Sequence, residues 1–250
     1  MNEQLTNKDF WKNYWNNKTD LIFKIPAKFP FLKELEDIIQ KNSTKKLLEI
    51  GGFPGYYSIW IKKNLGVDST LLDFIIIPEI TKSLEEKNEL VDSVELLEVD
   101  LFNESNQAME NYDLVFSNGL IEHFENTKDI IQRHLNYLKV GGDLLITIPN
   151  FRGYNGLIQL IFDKENLNKH YLPCMDIQYL KNTCEDLKLS NIEVEYNGEF
   201  TIWLEDQKNK PIWKKMMRFI LWLPFKIIFK FVPTKGKFFS PYIIIKAKKS

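Results

Sequence analysis

The chain of 250 residues is long enough for one large domain, and its 44% hydrophobic content can supply a buried core. Its 33 Lys and Arg nearly balance 34 Asp and Glu, so the net charge is -1, which removes the general electrostatic argument for a nucleic-acid partner. The two cysteines, Cys174 and Cys184, match no common zinc spacing and favour a reducing compartment. We therefore expect a cytoplasmic protein.

Strand and helix patterns alternate through residues 45–149, behind two helices predicted at 9–15 and 31–40. The predicted strands of this region are 45–50, 69–74, 94–99, 112–117 and 143–150, and its predicted helices are 56–65, 77–90 and 130–139. Such alternation indicates a parallel sheet, and strands that contain short apolar blocks instead of strictly alternating residues indicate that helices cover both of its faces.

Two segments after residue 149 interrupt the alternation, namely residues 150–173 and 197–239. A helix at 175–187 and a strand at 192–196 are predicted between them, and a last strand is predicted at 242–247. We expect both interruptions to be insertions into the regular fold.

The first predicted strand leads directly into a glycine-rich turn, from Gly51 to Gly55, and then into a helix. Glycines at such a turn let the backbone approach a ligand, and the helix N-terminus offers N–H groups. Glycine also serves any tight turn, so this turn alone does not identify a ligand. The spacing from Gly51 lacks the third-position and sixth-position glycines of a dinucleotide fingerprint, and no Walker-type Gly-Lys-Ser or Gly-Lys-Thr occurs.

Polar residues follow the next three strands. Asp73 closes the second strand, Asp100 follows the third, and Ser117 and Asn118 end the fourth. Each acid could cap a turn instead, but ligands of open α/β sheets bind along the carboxyl edge where all four residues are expected. A carboxylate at Asp73 suits a ribose diol, and one at Asp100 suits an adenine amino group.

The ordered segments resemble the class I S-adenosylmethionine-dependent methyltransferases, especially the ubiquinone-biosynthesis and small-molecule enzymes. The segments that carry the resemblance are LLEIGGFPG, LLDF, LLEVD, YDLVFSNGLIEHF and LKVGGDLLITIPN, within residues 45–149. The resemblance implies a Rossmann-like α/β fold with a seven-stranded, mostly parallel sheet, the last strand antiparallel, helices on both faces and insertions over the ligand edge. It also implies a single domain over residues 1–250, with a helical cap at 1–44, a cofactor-binding core at 45–149 and substrate or lid insertions at 150–173 and 197–239.

The cofactor implied by the resemblance is S-adenosyl-L-methionine. The residues assigned to it are Glu49, Gly51, Gly52, Gly55, Asp73, Phe74, Asp100, Leu101, Ser117 and Asn118. One departure from the family pattern is Phe53, which stands where the glycine turn usually has its middle glycine. This departure leaves a second hypothesis open, a non-catalytic binding or scaffold protein that keeps the methyltransferase fold.

Histidines are the natural general bases for a hydroxyl acceptor near neutral pH. His123 and His170 are the candidate catalytic residues, although each could instead be structural or simply polar, and His134 is interpreted as a surface or groove histidine. No set of ligands at recognisable spacing indicates a metal, so none is predicted. We therefore expect methyl transfer to an oxygen of a small-molecule or glycan/lipid-linked acceptor.

Residues 211–232 combine aromatic and basic side chains on a predicted helix. The segment is interpreted as a lid packed on its own domain or as a helix that lies in a membrane interface. Its longest uncharged run is too short for a bilayer span. The second interpretation would place the protein peripherally at the inner face of a membrane.

Overall fold

One mixed sheet forms the centre of the structure, a computed structural model that describes residues 5–103, 110–202 and 235–250. It also describes the separate positions 212, 213, 216, 219, 220, 223, 224, 227 and 229. The strands are β1 Lys46–Ile50, β2 Asp68–Asp73, β3 Glu95–Glu98, β4 Tyr112–Asn118, β5 Leu138–Pro149, β6 Ser190–Asn197 and β7 Tyr242–Lys248. Their order is β3-β2-β1-β4-β5-β7-β6, and only β7 runs antiparallel to its neighbours. The predicted fold class is confirmed.

Helices cover both faces of the sheet. They are α1 Lys8–Asn17, α2 Leu32–Asn42, α3 Tyr56–Leu65, α4 Pro78–Lys87, α5 Thr127–Leu135, α6 Tyr154–Phe162, α7 Lys164–Leu167 and α8 Ile177–Asp186. In β4, Leu114 and Phe116 pack towards α2 and α3, whereas Val115 packs towards α5 and α8. Because both faces of the strand are buried, its central residues, Leu114 to Phe116, are all apolar and do not alternate with polar ones.

The predicted boundaries of the helix at 130–139 and of the strand at 143–150 are wrong. A helix was expected over residues 130–139, but α5 ends at Leu135 and β5 begins at Leu138. Leu138 pairs with Tyr112 of β4, and the carbonyl of Tyr137 accepts the N–H of Tyr112 at 3.1 Å. The apolar residues that suggested another helical turn therefore belong to the sheet.

The structure describes the first predicted interruption completely and the second only in part. Residues 150–173 contain α6 and α7, whereas residues 203–211 and much of the segment 211–232 lie outside the described residues. Among the described residues, none of the helices has the length and apolar character that a bilayer span requires.

Candidate functional site

The glycine turn between β1 and α3 is shaped by close approaches that only glycine permits. Gly51 has φ of 68°, and its N–H donates to the carbonyl of Leu72 at 2.8 Å. A Cβ atom at Gly52 would lie 2.1 Å from Oε1 of Glu49. The N–H of Gly55 closes the turn on the carbonyl of Gly52 at 2.8 Å, at the start of α3. The turn therefore exposes backbone at the carboxyl end of β1.

Glu49 lies beneath this turn and is almost fully buried. Its Oε2 accepts hydrogen bonds from the N–H of Ser58 at 2.9 Å and from the Ser58 hydroxyl at 2.6 Å. Burial raises the pKa of Glu49 from 4.5 to about 7, although the Ser58 donors oppose this shift. Glu49 thus holds the first turn of α3 while its side chain contributes to a cavity wall.

Glu49→Gln should remove a pH-dependent loss of stability. Since folding raises this pKa, the folded state binds more protons than the unfolded chain between about pH 4.5 and 7, and stability falls as pH rises through that window. A shift of this size corresponds to at most about 3 kcal/mol. The glutamine keeps an acceptor oxygen for Ser58 but does not titrate.

Urea unfolding of both proteins at pH 5 and pH 8 tests this expectation. The free energy of unfolding of the variant, relative to that of the natural protein, should rise between pH 5 and pH 8. Asp73 also titrates, but it is present in both proteins, so its contribution cancels except for its Coulombic interaction with Glu49. An equal difference at the two pH values would contradict the expectation.

Asp73 joins the end of β2 to the glycine turn. Its Oδ2 accepts the N–H of Phe53 at 2.9 Å, and its Oδ1 accepts the N–H of Ile75 at 3.2 Å. Burial raises the pKa of Asp73 to about 6, and the backbone donors lower it in part. The carboxylate is therefore fixed in position and ionised near neutral pH.

A first cavity, called the smaller cavity below, opens along the carboxyl ends of β1, β2 and β3. Its volume is about 620 Å³, including the part open to solvent. It brings together five of the residues predicted to bind a cofactor. These are Gly51, Asp73, Phe74, Asp100 and Leu101.

The far end of the smaller cavity is aromatic. Phe102 stacks on Phe124 with ring centroids 5.1 Å apart, and its N–H donates to Oδ1 of Asp100 at 2.9 Å. The guanidinium of Arg133 lies 4.2 Å from the centroid of the Phe102 ring and donates to the carbonyl of Leu101. Sequence reasoning missed Arg133 because it comes from α5, far along the chain from the residues it supports.

A second, larger cavity of about 1250 Å³, again including open space, adjoins the first. The two share Gly51, Gly119 and His123, so they meet at the carboxyl ends of β1 and β4. Predicted site residues in the larger cavity are Glu49, Gly51, Gly52, Asn118, His123 and His170.

Helix α1 closes both cavities on one side. Trp11 and Trp15 line the two cavities, and the Trp11 ring meets the His123 ring edge-on at 5.3 Å. An ion pair of 2.9 Å between Lys8 and Glu98 ties the helix to the end of β3. The sequence predicted a helical cap here, and its cluster of aromatic residues was the signal for these contacts.

His123 and His170 lie side by side, with ring centroids 4.8 Å apart. Nδ1 of His123 is 2.9 Å from the carbonyl oxygen of Lys169, and Nδ1 of His170 is 2.8 Å from that of Asn166. A carbonyl only accepts, so each neutral ring carries its hydrogen on Nδ1 and its lone pair on Nε2. Burial lowers the pKa of His123 to about 3 and that of His170 to about 4, which keeps both rings neutral at physiological pH.

Glu122 completes this cluster. It is 1% exposed, and its Oε2 has no hydrogen-bond partner among the described residues. Ligand atoms of Glu122, His123 and His170 all lie within 4.8 Å of one another. The spacing in the sequence did not suggest such a set, because the third member reaches the cluster through α6 and α7.

Two predicted cofactor residues, Gly55 and Ser117, line neither cavity. The Ser117 hydroxyl lies 2.9 Å from Nε2 of His134, whose Nδ1 is 2.7 Å from the carbonyl oxygen of Ile130. His134 is fully buried, so its interpretation as a surface or groove histidine is wrong. Helix α5 places this side chain against β4, so that Nε2 meets the Ser117 hydroxyl of β4 while Nδ1 meets the Ile130 carbonyl within α5.

Comparison with known proteins identifies the family. A family model described as a methyltransferase domain matches residues 25–194, more than half of the chain. No curated protein matches the sequence. The fold is similar to that of a methyltransferase from Archaeoglobus fulgidus, at 16% identity and a TM-score of 0.53, over 87% of this chain and 94% of that one.

Two further structures show the same fold. One is phosphoethanolamine N-methyltransferase 2 of Haemonchus contortus bound to S-adenosylhomocysteine, at 17% identity and a TM-score of 0.57, over 87% of this chain and 52% of that one. The other is the CurJ carbon methyltransferase, at 16% identity and a TM-score of 0.53, with the same coverage. The family model shows the family, and the two cavities lie at the carboxyl edge of the sheet, where ligands of such folds bind. The chain therefore belongs to the methyltransferase domain family and is an S-adenosylmethionine-dependent methyltransferase.

Proposed function

We propose that this enzyme transfers a methyl group to an oxygen atom of a small-molecule or glycan/lipid-linked acceptor held in the larger cavity. The observation that carries the proposal is the meeting of two cavities at Gly51, Gly119 and His123. A cofactor in one cavity and an acceptor in the other would be brought together at this junction, and alignment is most of what methyl transfer requires.

The residues of the smaller cavity fit the cofactor. Asp73 presents a buried carboxylate suited to two ribose hydroxyls, and the aromatic end near Asp100 and Leu101 suits an adenine ring. The amino-acid end of the cofactor would cross the junction at Gly51 into the larger cavity, where Glu49 and the exposed backbone of Gly52 suit it. When bound, S-adenosylmethionine supplies an electrophilic methyl group.

Of the remaining residues predicted to bind the cofactor, two line a cavity and two do not. We assign Phe74 to the wall of the smaller cavity and Asn118 to the junction, where Thr147 donates to its side-chain oxygen at 2.7 Å. Gly55 and Ser117 would act indirectly, by shaping the glycine turn and by fixing the end of β4.

A hydroxyl acceptor must lose its proton as the new bond to oxygen forms. We assign this proton to the Nε2 lone pair of His123 or His170, since both rings line the larger cavity and donate through Nδ1 to backbone carbonyls. Trp11 packs against His123 and helps to exclude water from the junction.

Methyl transfer from S-adenosylmethionine carrying a ¹³C-labelled methyl group tests the acceptor atom. The enzyme is incubated with lipid and water-soluble extracts, and the ¹³C chemical shift of the product distinguishes methyl groups on oxygen, nitrogen and carbon. Label on oxygen supports the proposal, and label on nitrogen or carbon overturns it. Tight cofactor binding with no labelled product in any extract would favour the scaffold hypothesis.

His170→Gln should lower turnover by at least about 100-fold without weakening cofactor binding. His170 is not among the residues proposed to hold the cofactor and does not line the smaller cavity, so calorimetric titration with S-adenosylhomocysteine should give an unchanged affinity. Undiminished formation of labelled product would remove His170 from the proposed chemistry.

We also propose that residues 211–232 contact a membrane, so that the enzyme acts peripherally at its cytoplasmic face. Seven described side chains of this segment are large, apolar and exposed: Ile212, Trp213, Met216, Phe219, Ile220, Leu223 and Ile227. The sequence interleaves them with five Lys and Arg residues and has no acidic residue after Asp206. Apolar and basic residues in one segment suit a surface of anionic lipids.

A triple substitution of Trp213, Phe219 and Ile220 with serine tests the membrane contact. Co-sedimentation with phosphatidylserine-containing vesicles should fall at least about 10-fold, because each side chain would bury apolar surface in the lipid. Val91→Ser is the control, since Val91 is 75% exposed and lies outside the segment. Equal sedimentation of the triple variant and the control would contradict the contact.

A further inference from the structure

The two histidines of the larger cavity have their rings oriented by backbone carbonyls. The N–H groups at Nδ1 of His123 and His170 donate to Lys169 and Asn166, at 2.9 and 2.8 Å. Because each Nδ1 donates to a carbonyl, the nitrogen that each ring can offer to the cluster with Glu122 is Nε2. A hydrogen bond from the second ring nitrogen to a carbonyl is the usual way in which proteins orient histidines that ligate a metal.

The buried carboxyl group of Glu122 provides the second observation. It is 1% exposed, and its Oε2 has no hydrogen-bond partner among the described residues. Leaving a buried carboxyl oxygen unpaired is costly, and a bound cation would remove that cost. This oxygen and the two oriented histidines are independent observations that indicate the same kind of ligand.

We propose that Glu122, His123 and His170 bind a divalent first-row transition-metal ion such as Zn²⁺ or Mn²⁺. Two imidazole nitrogens and one carboxylate oxygen suit these ions better than Mg²⁺ or Ca²⁺, which prefer oxygen ligands. The three ligand atoms now lie within 4.8 Å of one another. Bonds of about 2.0–2.2 Å to one tetrahedral ion would place the ligand atoms about 3.4 Å from one another, so the most distant pair would come about 1.4 Å closer together.

Such an ion would have positions left for an acceptor oxygen, because three protein ligands do not complete its coordination. All three side chains line the larger cavity, so these positions face the space proposed for the acceptor. With the ion bound, the histidines would serve as ligands in place of their role as base: the ion would hold the acceptor oxygen and lower the pKa of its hydroxyl, and the proton would leave to water. This role rests on the proposed oxygen acceptor, whereas binding of the ion does not.

Calorimetric titration of chelator-treated protein with Zn²⁺ and Mn²⁺ tests the site, and the visible absorption of added Co²⁺ reports its ligands. We expect one ion per chain. Glu122→Gln, which preserves the shape of the side chain, should weaken binding by at least about 100-fold, since even residues behind the ligands matter by 10–100-fold. Glu85→Gln is the matched control, because Glu85 is also buried but accepts hydrogen bonds from Ser93 and Val94 elsewhere.

Retained binding of S-adenosylhomocysteine shows that each variant is folded. If the natural protein binds no ion, or if Glu122→Gln binds it normally, the metal site is overturned and oxygen methylation can still stand. If the ion binds as expected but the labelled methyl group appears on nitrogen or carbon, the metal site is supported and the proposal of an oxygen acceptor is overturned. The two proposals therefore fail separately.

Discussion

Asp73→Ala should abolish micromolar binding of S-adenosylmethionine and S-adenosylhomocysteine. The substitution removes the carboxylate proposed to hold the ribose hydroxyls and also the acceptor of the Phe53 N–H in the glycine turn. Hydrogen bonds to a charged group contribute about 1.5–3 kcal/mol each, so the loss of two corresponds to about 100-fold or more in affinity. Calorimetric titration with both ligands measures this loss of affinity.

Asp68→Ala provides the control for this experiment. Asp68 begins the strand that Asp73 ends, is exposed, and pairs with Lys62 at 2.7 Å on the opposite edge of the sheet. Its removal should leave the affinity unchanged. If Asp73→Ala binds both ligands as tightly as Asp68→Ala does, Asp73 has no part in the cofactor site.

Gly52→Ala should damage both stability and cofactor binding. The added Cβ would lie 2.1 to 2.4 Å from three side-chain atoms of Glu49, which is buried and bonded to Ser58. Either Glu49 leaves Ser58 or the glycine turn shifts away from the cavities. Crowding and lost hydrogen bonds together should lower the free energy of unfolding by about 3 kcal/mol, measured by urea unfolding.

Gly66→Ala separates crowding from backbone strain. Gly66 ends α3 with φ of 67°, and a Cβ there would meet no atom within 4 Å. This variant should lose only about 1 kcal/mol and keep full affinity for S-adenosylhomocysteine. Normal affinity in Gly52→Ala as well would show that the turn does not need its present shape for binding.

The sequence predicted the sheet and its ligand edge because these follow from local patterns. Parallel strands end at one edge, so polar residues after successive strands, such as Asp73 and Asp100, had to lie near one another. The structure places both on the smaller cavity. Their contact with the cofactor stays a prediction.

Contacts between elements that are distant in the sequence could not be predicted from the sequence alone. Arg133 reaches Phe102 only because α5 packs beside the end of β3, and His170 reaches His123 only through the path of α6 and α7. His134 was misinterpreted for the same reason, since its partner Ser117 belongs to another element. The spacing of apolar residues in one helix predicts which face is buried. It does not predict which polar groups of other elements that face will contact.

Helix α1 also bears on the rate at which ligands leave. None of its residues is fully buried, and its tie to Glu98 is an ion pair between side chains that are about half exposed, a kind of bond that adds little stability. Its other contacts include the edge-on packing of Trp11 on His123 and of Trp15 on Phe53, so α1 can open locally at a lower cost than a helix with a buried face. We therefore expect spent cofactor to dissociate through excursions of α1, and turnover to follow the frequency of those excursions when acceptor is abundant.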